Sequence, residues 1–319
     1  MKLQRRLPRG SMLMIATVIA GAVGATAGAQ GDQTLDGLVR SYMAERGAEP
    51  QLAPDSQLCR RYAIDLTGVI PSLRDLDACE GRTAGEMFDH FAAKGPMAHT
   101  DGERPYVWIN LLKDADHFLF SNSTQFSQVG HIREFRDELR DVYANDASYA
   151  GFSRWALQSQ MFLNRFPSGA DRANASFFLF LGRDSLANEV PVGNMWNGWA
   201  LRDRSIRASA AESNPDYHVY DYDASRCTSG RALCSATMWG TEGDTPEDVI
   251  ELMVGSDLFL EATVNRYWER FLGEPLPGVD YPEIRRVLVR GFVAHDHDVN
   301  WLIREIATSS VYTQEMMYR

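Results

Sequence analysis

At Ser72–Asp75, Thr83–Glu86 and Thr245–Asp248 a hydroxyl residue stands three positions ahead of an acid, at the head of an apolar run. The hydroxyl accepts a bond from one of the orphan N–H groups at a helix start, and the acid reaches back to the cap residue's own N–H. Pro246 follows Thr245 and suits a first helical position, where its missing N–H is not needed. Apolar residues then recur at helical spacing. Leu35, Leu38, Val39 and Met43 share one face ahead of Gly47, and Leu58, Tyr62 and Leu66 share another ahead of Gly68. Further helices are expected over about 103–118, 131–145, 149–164, 171–181, 246–254, 257–272, 281–294 and 298–308. No hairpin signal of the Asn-Gly kind sits between two alternating runs. The expected class is mainly α: a multi-helix globular fold.

The first residues address compartment rather than fold. "MKLQRRLPRG" carries Lys2, Arg5, Arg6 and Arg9 without an acid, and an apolar run ending in small residues follows. That is the layout of a secretory signal peptide over 1–29, cut after Ala29, with a cut after Ala27 as the near alternative. The other reading is a membrane anchor, which Gly21, Gly24 and Gly28 make weakly apolar. With the signal removed, no membrane span is expected. The net charge then moves from −11 to −15, because all four charges of that segment are basic. A chain this acidic repels phosphate backbones, so nucleic acid is not an expected partner. Secretion or a periplasmic location follows, and four cysteines there allow up to two disulfides.

The helical pattern lapses from 184 to 244, dividing the chain into regions 30–183 and 245–319 around an insert rich in Gly, Asn, Asp and Ser. Such a connection is uncommon in a compact domain unless it carries function. Its rings, among them Trp196, Trp199, Tyr217, Tyr220 and Tyr222, argue for order, and stacked Trp and Tyr are frequent sugar and protein contacts. Asp216, His218, Asp221 and Asp223 supply one imidazole and three carboxylates, the makings of a polar turn or, as the alternative, a donor set for a divalent metal. Further on, His295 and His297 stand beside Asp296 and Asp298, where Asp298 also fits a helix cap. Cys227 and Cys234 enclose a short Gly-containing loop that a disulfide can close, with a metal or redox role as the alternative. Cys59 and Cys79, on adjacent expected helices, form a second candidate pair.

No H-E-x-x-H, G-x-S-x-G or phosphate-binding loop occurs. The lack of C-x-x-C-H excludes covalent haem attachment, and no cofactor is predicted beyond that candidate metal. Arg61 and Asp65 have the i,i+4 spacing of a helix-surface pair. In "VNRYWERFLG", Val264, Trp268 and Phe271 read as a core stripe that leaves Arg266 and Arg270 facing out, with Arg266 a candidate ligand contact.

Two segments also resemble known families. "RRYAIDLTGVIP", through Arg60, Arg61, Asp65, Leu66, Thr67, Gly68 and Pro71, resembles the opening of the domain of unknown function numbered 1549, found in secreted planctomycete-type bacterial proteins. "FRDELRDVYANDASYAGF" resembles a later part of that family through Arg136, Asp137, Asp146, Tyr149 and Phe152. "VNRYWERFLG" and "IREIATSSVYTQ" are similar to the companion domain numbered 1553, through Asn265, Arg266, Trp268, Gly273, Thr308, Ser309, Tyr312 and Gln314. Larger members often carry C-x-x-C-H between the halves, which this chain lacks. The families imply no established activity. The expectation is an exported, non-catalytic binding or assembly module for a protein or polysaccharide. The alternatives are a metal-dependent or carboxylate-based hydrolase of an extracellular polymer, and a redox protein.

Overall fold

Ser72, Thr83 and Thr245 each cap a helix, and in all three the acid three residues on accepts the cap residue's N–H in return. The structure, a computed structural model, describes residues 34–47, 51–118, 130–166, 168–189, 192, 196, 199–203, 219–222, 236–243, 245–276 and 282–314. The fold is mainly α. Among the described residues the first nine helices are α1 (Leu35–Glu45), α2 (Asp55–Thr67), α3 (Leu73–Cys79), α4 (Ala84–Ala92), α5 (Pro105–His117), α6 (Gly130–Ala144), α7 (Tyr149–Ala156), α8 (Gln160–Arg165) and α9 (Gly169–Leu181). After four short strands come α10 (Pro246–Val254), α11 (Asp257–Leu272), α12 (Pro282–Ala294), α13 (Val299–Thr308) and α14 (Ser310–Thr313). Gly68, Gly182 and Gly273 end α2, α9 and α11 with positive φ, a conformation that carries no steric cost without a Cβ.

Residues 149–164, expected as one helix, form two. Ser159 donates to Ala156 O at 2.7 Å and accepts from Phe162 N at 3.2 Å, so its hydroxyl closes α7 and caps α8. The insert is likewise more regular than expected. β1 (Trp199–Asp203) pairs antiparallel with β2 (Val219–Tyr222), and β3 (Ala236–Met238) with β4 (Thr241–Gly243). The second pair is a hairpin whose two loop residues, Trp239 and Gly240, have φ of 51° and 84°, as a tight twisted turn demands. Asn-Gly is the familiar sequence for that turn; here a tryptophan takes the first position. Its indole Nε1 donates to Glu189 Oε1 at 3.0 Å. Glu189 is fixed in turn by Arg183 at 2.6 and 2.8 Å and by the Leu186 N–H. The Arg183 guanidinium holds the Glu189 carboxyl down at about 2, so it is ionised and can anchor the strained turn.

The two ends of the described chain interlock. Arg61 donates to the carbonyls of Tyr312 and Gln314, each at 2.7 Å, and Tyr312 Oη donates to Asp65 at 2.7 Å. Arg61 and Asp65 therefore hold the C-terminal segment and are not the surface pair that their spacing suggests. Tyr62 adds a bond to Ala307 O at 2.7 Å, and Leu52 bridges to Gln314. The motif residues at the start and end of the family resemblance thus touch one another. Cys59 and Cys79 are buried with their sulfurs at bonding distance and their Cα atoms 6.0 Å apart, tying α2 to α3.

Where α12 meets α13, the Trp301 ring lies on Gly291. A Cβ there would come 2.1 Å from Trp301 Cη2, and the indole is also stacked on His295 at 4.4 Å. Gly291→Ala is expected to destabilise the protein by roughly 1–3 kcal/mol through overpacking, even though alanine is favoured over glycine inside a helix by about 1 kcal/mol. Urea denaturation gives the measurement. An unchanged or higher midpoint would show that the indole can move aside freely.

Candidate functional site: a cleft beside Arg266

The left-handed turn at Gly182 releases the chain from α9 and lets Ala262 of α11 approach, 3.4 Å from where a glycine Cβ would stand. Between the end of α9 and α11 lies a cleft of about 390 Å³. Its mouth is apolar: Phe178 and Leu258 are 51% and 38% exposed. Its polar lining comes from His117, Tyr149, Glu261, Thr263, Asn265, Arg266, Glu269 and Arg285.

Arg266 dominates this lining. Its guanidinium carbon sits 4.9 Å from the Tyr149 ring centroid and 4.8 Å from that of Tyr267, so two aromatic faces hold the cation. Its Nε and Nη2 are sealed from solvent and have no hydrogen-bond partner. Asn265 Oδ1 and Arg285 Nε, also from the cleft wall, are sealed and unpartnered too, while Tyr149 Oη, sealed as well, has Arg266 beside it. An unpaired buried polar atom costs about 1–3 kcal/mol. Three such side chains around one cleft are an unusual concentration.

His117 stands at the base of the cleft. Its Nε2 lies 2.8 Å from Leu179 O, an atom that only accepts, so Nε2 carries the proton and Nδ1 the lone pair. Burial, aided by the charge of Arg266, lowers its pKa to about 4, leaving a neutral imidazole at pH 7. Among the described residues no hydroxyl or thiol is hydrogen-bonded to it, so a nucleophile–base couple is not assembled there.

Arg270, one turn beyond Arg266, has partners for both terminal nitrogens, although its Nε is sealed and unpartnered as well. Its Nη1 faces Asp114 Oδ1 at 3.4 Å and its Nη2 donates to Asn110 Oδ1. Tyr143 Oη donates to Asp114 and meets Tyr267 Oη at 2.7 Å. Neither arginine faces outward as the stripe on α11 predicts: Arg266 is half-buried and the Arg270 side chain is 11% exposed. The reason is α5, which brings Asn110 and Asp114 against α11 and makes that polar flank an interior contact. A second hollow of about 310 Å³ is lined by Glu103, Arg136, Asp137 and Arg140 among others, but there the charges pair as Arg140–Glu103 and Arg136–Asp137.

The expected site residues of the insert divide into three groups. Trp196 is fully buried, its Nε1 3.4 Å from Leu157 O, so its ring is a core element and offers no face for stacking. Arg172, missed in the sequence, fixes it: the guanidinium donates to the carbonyls of Trp196, Phe166 and Leu163. Trp199 lies in β1, and Tyr220, Asp221 and Tyr222 lie in β2. Asp216, Tyr217, His218, Asp223, Cys227 and Cys234 lie outside the described residues. Asp298 acts as the N-cap of α13, accepting from Asn300 N at 2.7 Å. Among the described residues no group of three or more His, Cys, Asp or Glu could hold a metal ion, and no helix is long and apolar enough to cross a membrane.

Compared with protein families, characterised proteins and solved structures, the chain matches none.

Proposed function

We propose that the protein is an exported, non-catalytic binding module whose cleft between α9 and α11 holds one end of a polysaccharide chain. The observation that carries this reading is Arg266: a cation fixed by two tyrosine rings, without a partner for Nε and Nη2, at the wall of a cleft with an apolar mouth. A cavity of a few hundred Å³ suits a small group or a single sugar. A protein partner instead needs a face of about 800 Å². The family resemblance is part of the same proposal: the chain is a relative of the 1549/1553-type secreted proteins, a reading that rests on the motif residues from Arg60 to Gln314.

The hydrolase reading finds less support in this cleft. Glu261 and Glu269 both line it, but eight residues of helix separate their backbones by about 12 Å. Carboxyl pairs in glycosidases stand roughly 5–9.5 Å apart, and Glu261 is already engaged by Arg285 at 3.3 Å. The test is to incubate the mature protein with immobilised polysaccharides. Saturable retention on at least one, without new reducing ends, is the expected outcome. Release of sugar or sulfate, suppressed by a chelator, would move the assignment to a hydrolase.

A further inference from the structure

We infer that the cleft is a receptor for a single carboxylate on a hydroxylated ring, a uronic acid at a glycan chain end, with Arg266 as its anion-binding residue. The inference rests on the binding reading above and narrows its ligand.

Two arginines stand one turn apart on α11. Arg270 has Asp114 and Asn110; among the described residues no carboxylate reaches Arg266 within ion-pair distance. Both tyrosine rings lie within cation–π distance of the planar Arg266 guanidinium. Nε and Nη2 form the lateral edge of that plane, whose two N–H groups match the two oxygens of a carboxylate. Both are sealed in this structure, so a ligand reaches them through a side-chain rotation, the commonest adjustment on binding.

The remaining unpaired atoms specify the rest of the ligand. Arg285 Nε can donate to a further oxygen, while Asn265 Oδ1 only accepts and so asks for a hydroxyl. Phe178 and Leu258 at the mouth offer apolar surface to the C–H face of a sugar ring. The charge count sets an upper limit. Glu269 is exposed at the rim, and the chain is strongly acidic, so a polyanion is repelled while one charge can be matched locally.

The experiment follows the Nε–H resonance of Arg266 in the full mature chain by two-dimensional nitrogen–proton NMR, assigned through Arg266→Lys. D-glucuronate, D-glucose and inorganic sulfate are titrated in turn. Glucuronate is expected to shift the resonance and saturate it; glucose is not, and sulfate acts more weakly. Arg266→Lys keeps the charge but loses the fork, and glucuronate affinity should fall by about tenfold. Glu269→Gln should raise it several-fold. That variant alters an exposed residue, so it keeps the inference open to refutation if Arg266→Lys does not fold. An equal response to glucose and glucuronate, or no gain from Glu269→Gln, overturns the carboxylate assignment while polysaccharide retention keeps the binding reading. Sulfate binding as tight as glucuronate reduces the site to a general oxyanion receptor and also overturns it. Silence toward all three ligands, together with no retention on any polysaccharide, removes both.

Discussion

Asp114→Ala is expected to cost about 3–5 kcal/mol of folding free energy, the range found when one partner of a buried ion pair is removed. Asp114 is 2% exposed and accepts from Tyr143 Oη while facing Arg270. Without it, a guanidinium whose side chain is 11% exposed keeps its charge but loses its counter-ion, with Arg266 one turn away carrying the same sign. Asn110 still accepts from Arg270, and Tyr143 still has Tyr267, so the loss concentrates on the uncompensated charge. That reasoning also fixes the double variant. Asp114→Ala with Arg270→Met removes both charges, and most of the loss should be recovered, because apolar replacements of a buried pair are often neutral or better. Urea denaturation of the two single variants and the double closes the cycle. A single-variant loss under about 1 kcal/mol, the level of an exposed pair, would mean that water reaches Arg270.

The same residues show where sequence reading succeeds and where it stops. Caps were legible because a capping box is local: Ser72, Thr83 and Thr245 need only the acid three positions on. The core stripes of α1, α2 and α11 were legible for the same reason, since periodicity alone places Val39, Leu66 and Val264 inward. Charged side chains on the flank of a stripe are different. Whether Arg266 and Arg270 meet water depends on whether another helix covers that flank, and Asp114 lies 156 positions before Arg270. Arg61 points to a carbonyl 251 positions downstream, although a perfectly spaced acid stands one turn away on its own helix. The hairpin at Trp239–Gly240 was hidden because its turn uses tryptophan at a positive φ, which only the anchor on Glu189 makes tenable. Trp196 was misread in the opposite sense: in a polar stretch its ring looks available, yet Arg172 draws its backbone into the core. Of the cleft residues, Tyr149, Asn265 and Arg266 lie in segments that the sequence draws attention to, and Arg266 alone is a candidate contact there; Phe178, Leu258 and His117 sit in ordinary helical patterns and become a site only when α9, α11 and α5 converge.

Replacing Cys59 and Cys79 together by alanine is expected to lower stability by about 3 kcal/mol, the amount that closure of a loop of some twenty residues removes from the unfolded chain's entropy. The cysteines are 20 positions apart in sequence and lie on consecutive helices, with Cys59 0% and Cys79 1% exposed. At roughly 2–4 °C per kcal/mol for a domain of this size, the melting temperature should fall by roughly 6–12 °C. Burial makes a second, sharper expectation. A reductant reaches sulfurs this deep only when the region opens, so dithiothreitol added to the native protein should leave its spectrum unchanged, and the lower melting temperature should emerge only after unfolding and refolding in its presence. The capping box at Ser72 and the bonds that Asp75 accepts from His90 and Lys94 hold α3 independently of the sulfurs. The alanine pair should therefore fold to the same structure at lower stability. Rapid reduction of the native protein, with an immediate drop in melting temperature, would show that α3 detaches readily and that those bonds do not hold it.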